Sequence, residues 1–217
     1  FFFKQKTAYE IVDCDWSSDV CSSDLAALLW VGWMGFNAGS AGAADARAGM
    51  AMLATQLAAA TGALGWMLAE WTVRRTPTLL GLSSGVVAGL VAVTPASGFV
   101  GPGAAAVIGA LAGLVCYWGA TGMKRLLGVD DSLDVFGVHG MGGLLGAVLT
   151  GVLADPRIGG VSGSLQAQLV AAGATIAFSA VATAALLWLV DALIGLRITP
   201  DQERQGLDLA QHGERIE

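Results

Sequence analysis

His139 sits in DVFGVHGMGG (Asp134–Gly143), a stretch in which no other side chain titrates near neutral pH. A neutral imidazole both donates and accepts a hydrogen bond, so it can line a path for a small polar solute or relay a proton. A lone histidine can equally be a hydrogen-bonded packing residue; which reading applies depends on the medium around it. The second candidate stretch is WMGFNAGSAG (Trp33–Gly42), with two aromatic rings and the Ser40 hydroxyl within eight residues. Ring faces attract cations, and a serine oxygen accepts from an ammonium-type donor. Tryptophans also gather at membrane interfaces as plain anchors, and residue chemistry alone leans toward the anchor.

Other patterns carry less. Gly81-Leu82-Ser83-Ser84-Gly85 has the hydrolase G-x-S-x-G spacing, but that motif needs a strand-to-helix elbow and partner residues. Here it lies inside an apolar helical pattern, where small residues for packing explain it. Two histidines and one apolar-flanked cysteine, Cys116, cannot supply three or four close metal ligands. No metal, no cofactor and no enzyme activity are expected. Gly101-Pro102-Gly103 lacks the third glycine and the preceding strand of a dinucleotide loop.

The elements that position these residues follow from charge placement. The 217 residues are 55% apolar and 13% charged, with a mean hydropathy of +0.66. Soluble domains carry about 25% charged residues. Charges are absent from 48–69, 76–123, 135–154 and 158–190, and a bilayer span takes about 20 apolar residues. The reading is an all-α polytopic membrane protein in a lipid bilayer. Nucleic acid is excluded as a partner, because no basic patch exists to meet phosphates. Inside a span, a polar side chain is costly and points by default to function, which moves His139 toward the pathway reading.

Spans are expected at about 46–72, 78–98, 103–123, 134–155 and 165–196, with 26–38 as a shortened sixth. GFVGPG (Gly98–Gly103) breaks the long apolar run. Arg74, Arg75, Lys124, Arg125, Arg197, Arg204 and Arg215 fall on one side, and Arg47 and Arg157 on the other. That bias puts the C-terminus in the cytoplasm of a cell (inner) membrane protein. Gly35/Gly39, Gly85/Gly89, Gly109/Gly113 and Gly142/Gly146 are small-xxx-small pairs that let helix backbones approach.

Residues 1–25 differ from the rest. They hold seven of the 28 charged residues and no membrane-length apolar run. FFFKQKTAYEI (Phe1–Ile11) and DWSSDVCSSDL (Asp15–Leu25) resemble translated ends of a short-read sequencing adapter. The expected domains are therefore 1–25, an adapter artefact without order; 26–197, a partial transmembrane domain; and 198–217, a cytoplasmic tail.

GWMGFNAGSAG, GLVAVTPASGFVGPGAA, MKRLLGVDDSLDVFGVHGMGG and GLRITPDQERQGLDLAQHGE resemble, in order and spacing, motifs of the ammonium transporter (Amt/Mep/Rh) family across 26–217. The resemblance implies the second of two inverted five-span repeats, followed by the last transmembrane helix and the tail. Such repeats place the substrate path at their interface. It implies a homotrimer with one narrow pore per subunit, carrying ammonium/ammonia, with methylammonium as an analogue. Phe36 matches a pore-gating phenylalanine, Ser40 the serine of the outer ammonium site, and His139 one of two paired pore histidines. Trp33 and Thr94 match positions near the pore. Asp134 matches an acidic position near the pore, read physically as the N-cap of its helix. The tail resembles the docking region for a PII-type signalling protein. The implied mechanism strips a proton from ammonium, because a bare ion cannot cross a dry constriction, while ammonia passes the imidazoles. The alternative function is an ammonium sensor that signals through the tail, and a third is a half-protein that pairs with a separate chain. On this reading the first five spans are absent, and the chain is expected neither to conduct nor to be stable alone.

Overall fold

The computed structural model describes residues 18–128 and 131–214. Among them, all regular structure is helical: α1 (Ser18–Gly39), α2 (Ala46–Arg74), α3 (Leu79–Val93), α4 (Pro102–Leu127), α5 (Phe136–Leu153), α6 (Leu165–Ile194) and α7 (Pro200–Gln205), with single turns at Pro156–Gly159 and Asp208–His212. Helices α2, α4, α5 and α6 are long and apolar enough to cross a membrane. The chain forms two compact units, divided between Val170 and Ala171.

In the first unit α2 is central and packs against α1, α3 and α4. Its neighbours approach to backbone distance. A Cβ on Gly62 would stand 2.5 Å from the Gly85 carbonyl oxygen, and one on Gly65 2.5 Å from that of Ala110. Gly89, Gly109 and Gly113 press in the same way on the Ala58 and Gly62 carbonyls, and Gly146 on that of Ala92. Without a hydrophobic force between helices in lipid, such van der Waals contact is what holds them. Gly85/Gly89 and Gly109/Gly113 are used in this manner at both positions and Gly142/Gly146 only at Gly146, since Gly142 meets the side chains of Cys116 and Val91. Gly35 and Gly39 are not: a Cβ on either meets nothing within 4 Å.

Helix α3 is shorter than the span expected at 78–98. Pro95 has no N–H to donate and its ring crowds the preceding turn, so the helix stops at Val93. Residues 94–100 continue as tight turns, with Ala96 N–H on Val93 O (2.8 Å) and Phe99 N–H on Ala96 O (2.8 Å). Ala96 and Val100 are fully buried. Non-helical backbone at membrane depth is tolerated where protein surrounds it.

Residues 1–25 were expected to lack order. Residues 1–17 lie outside the described ones, but Ser18–Leu25 are helical and continuous with the rest of α1. Helix propagation adds one hydrogen bond per residue fixed, so a strongly apolar helix extends into the segment before it. Cys21 is exposed and Leu25 is 56% exposed. Helix α6 runs 30 residues with no side chain buried. Beyond it, Thr199 opens α7 with a capping box: the Gln202 amide donates to Thr199 Oγ1 (3.3 Å), and Gln202 Oε1 accepts from the Thr199 amide (3.1 Å).

Candidate functional site

The first group is built on the last two turns of α1. Trp33 Nε1 donates to Thr94 Oγ1 at 2.8 Å, tying α1 to the end of α3. Thr94 Oγ1 in turn donates to Leu90 O at 2.8 Å. One turn along, Asn37 Nδ2 donates to Thr55 Oγ1 of α2 at 2.9 Å, and Thr55 donates to Ala51 O at 2.7 Å. Each anchor is an α1 N–H held by a threonine whose own proton is committed to its helix. Asn37 and Thr55 are buried. Sequence reading passed over Asn37, although an amide on an apolar face carries the same signal as a lone histidine there.

Between the anchors, Phe36 is left open, 62% exposed, with its ring edge-on to Trp33 at 6.2 Å between centroids. Ser40 is exposed and donates its hydroxyl proton to Phe36 O at 2.7 Å. Its free capacity is therefore acceptor only. Trp33, Phe36, Ser40 and Thr94 thus form one contiguous group. Thr94 serves it as an anchor for Trp33, with its proton already spent.

His139 lies elsewhere, in the first turn of α5, and its side chain is exposed while Gly137 and Val138 are buried. That turn is not regular α-helix. Phe136–Gly140 is wound as a π-helix, and so is Gly119–Met123 of α4. The two wide turns face each other across glycines: a Cβ on Gly119 would sit 2.8 Å from Gly137 O. Cys116 Sγ donates to the Val138 carbonyl at 3.5 Å beside this crossing. Short π segments recur at functional sites. Helix α3 packs against both α1 and α5, so it is the element common to the two groups.

Asp134 was expected to cap α5, and it does not. The Asp131 carboxylate takes the amides of Val135 (2.8 Å), Phe136 (2.9 Å) and Gly137 (3.1 Å). Asp134 is left-handed, with φ of 54°, and its Oδ1 pairs with Lys124 Nζ at 2.6 Å. The left-handed residue folds the chain back so that the acid three positions earlier reaches the amides. A second polar centre closes the α2–α3 turn. Buried Glu70 accepts from the Thr78 amide (3.0 Å) and hydroxyl (3.1 Å), and pairs with Arg74 (3.5 Å). Among the described residues no cluster of three potential metal ligands occurs.

Comparison with known proteins gives these positions a context. The profile described as Ammonium Transporter Family matches residues 25–216. The ammonium transporter of Aquifex aeolicus is 47% identical over 88% of this chain and 46% of its own. Ammonium transporter Amt1 of Archaeoglobus fulgidus is 44% identical over 87% of this chain and 50% of its own. Among solved structures, Mep2 of Candida albicans superposes with a TM-score of 0.77 at 35% identity, covering 86% of this chain and 44% of Mep2. A protein described as Sensor Amt Protein superposes at 0.74 with 30% identity, covering 86% and 47%. The chain spans about half the length of the relatives it matches. With nearly all of its described residues inside the match, this chain belongs to the Ammonium Transporter Family.

Proposed function

We propose that the complete protein moves ammonium across a cell membrane as ammonia, through a narrow path to which this half contributes Phe36, Ser40 and His139. What supports the reading is the family match together with one feature of the fold. Phe36 and His139 are both exposed, each next in sequence to a buried residue, Asn37 and Val138. Ser40, with its proton already given to Phe36 O, offers lone pairs to a donor such as ammonium. The faces of Phe36 and Trp33 attract the cation. Desolvating the ion is prohibitive, so ammonium gives its proton to water at the mouth of the path, and ammonia passes on to the His139 imidazole, which can both donate and accept.

The homotrimer, the inner-membrane location with a cytoplasmic C-terminus, and the docking of a PII-type protein at 198–217 belong to this proposal. The charge bias of the loops supports the orientation, and an exposed, self-capped α7 gives the tail a defined surface. Likeness to a sensor protein keeps a signalling reading in view, and flux separates the two. Purified complete protein in liposomes is expected to take up methylammonium and exclude potassium. His139→Ala is expected to lower that uptake about a hundredfold, the cost of misplacing one essential group. Wild-type uptake in His139→Ala would overturn the role of the histidine. Ammonium binding without flux in the unmodified protein would favour the sensor.

A further inference from the structure

Lys124 joins the end of α4 to the start of α5 through two bonds. Its Nζ reaches Asp134 Oδ1 at 2.6 Å and the Asp131 carbonyl at 2.9 Å. One turn into the membrane from it, the π-wound turns of α4 and α5 cross at Gly119 and Gly137 with no room for a methyl group. His139 lies two residues beyond that crossing. A π turn holds about one residue more than an α turn, so losing it to ordinary α geometry would turn the residues on one side of it by about 100° relative to those on the other. The direction of the imidazole therefore depends on the wide turn being kept.

We propose that Lys124 is a positioning residue for His139. It holds Asp134 left-handed, which keeps the Asp131 carboxylate on the amides of Val135, Phe136 and Gly137, and that fixes the wide turn at Phe136–Gly140. Three independent observations converge on this assignment. Asp134 has positive φ without being glycine, a conformation that persists where surrounding bonds enforce it. The Lys124–Asp134 bond is short and charge-assisted. Both helices depart from α geometry at the same level, where they touch. Lys124 does not meet the solute; it acts through the backbone that carries the histidine.

The inference rests on the transport reading, and the experiment separates the two. In the complete protein, Lys124→Met is expected to lower the maximal methylammonium uptake rate about tenfold with an unchanged half-saturation concentration, because the group around Ser40 is untouched. Lys124→Arg, which keeps the charge and the donors, is expected to restore most of the rate. Asp134→Asn, which tolerates the left-handed backbone and lacks the charge, is expected to match Lys124→Met and serves if the latter does not assemble. Hydrogen exchange is read on the same proteins, and the amides of Val135, Phe136 and Gly137 are expected to exchange faster in both variants. Unchanged exchange there, or an equal loss of rate in Lys124→Arg and Lys124→Met, would overturn the role of Lys124. Absence of uptake by the unmodified protein would instead fail the transport reading, with the exchange result still deciding the positioning.

Discussion

Gly35/Gly39 in α1 and Gly85/Gly89 in α3 have the same four-residue spacing, and the fold treats them in opposite ways. Gly85 and Gly89 press against the backbone of α2, so that a Cβ on Gly85 would lie 2.6 Å from the Trp66 side chain. Gly35 and Gly39 face open space, on the helix that leaves Phe36 uncovered. Small-residue spacing thus creates the capacity for close approach, and a neighbour is needed to use it. Where the capacity is unused, α1 is held by polar anchors instead: Trp33 on Thr94 and Asn37 on Thr55.

Substitutions can break that contrast. Gly89→Val is expected to cost about 3 kcal/mol through overpacking, read as loss of helical signal on heating the detergent-solubilised complete protein. Gly35→Val in the same preparation is expected to stay within about 0.5 kcal/mol, and equal losses for the two would erase the distinction. The polar anchors come next in size. Asn37→Ala leaves the fully buried Thr55 without its donor and is expected to cost about 2 kcal/mol. Trp33→Phe removes one part-buried bond and is expected to cost about 1 kcal/mol. A larger loss from Trp33→Phe than from Asn37→Ala would show that α1 is fastened mainly to α3.

The smallest effect is expected outside the spans. Asp155 caps the turn Pro156–Gly159, and the backbone N–H of Arg157, with the nearby Arg157 charge, holds its carboxyl below the usual range. A depressed folded pKa contributes stability above the unfolded pKa and loses it as pH falls through the folded one. The protection of the Arg157 amide, its exchange relative to the intrinsic rate at each pH, is therefore expected to be flat near neutrality and to fall only in acid. Asp155→Asn is expected to remove that acid dependence.

Much of this was legible in the residues. Charge-free intervals marked α2, α4, α5 and α6 closely, because the bilayer dictates length and polarity together. Trp33, Phe36 and Ser40 stand out by their chemistry and Thr94 by motif resemblance alone, and the four form one group. The departures have local causes. Pro95, inside the expected third span, ends α3 early, since a missing donor acts on hydrogen bonding and leaves hydropathy untouched. The cap of α5 went to Asp131 because one left-handed residue, Asp134, redirects the chain, and composition carries no trace of such a turn. The paired π turns were likewise invisible, since each depends on a helix distant in sequence. Asn37 was passed over in favour of its aromatic neighbours, although its burial makes it the more demanding residue to satisfy.

The hydroxyl of Ser40 has a consequence of its own. Its proton is spent on the carbonyl of Phe36, one turn back in the same helix, so the oxygen meets any visitor as a Lewis base alone. Water, ammonium and methylammonium can each bring a proton to it. An anion, or a tertiary amine with no proton left, gains a donor there only by drawing the hydroxyl proton away from that carbonyl. The polarity of the contact is set before anything arrives, by a bond that the helix makes with itself.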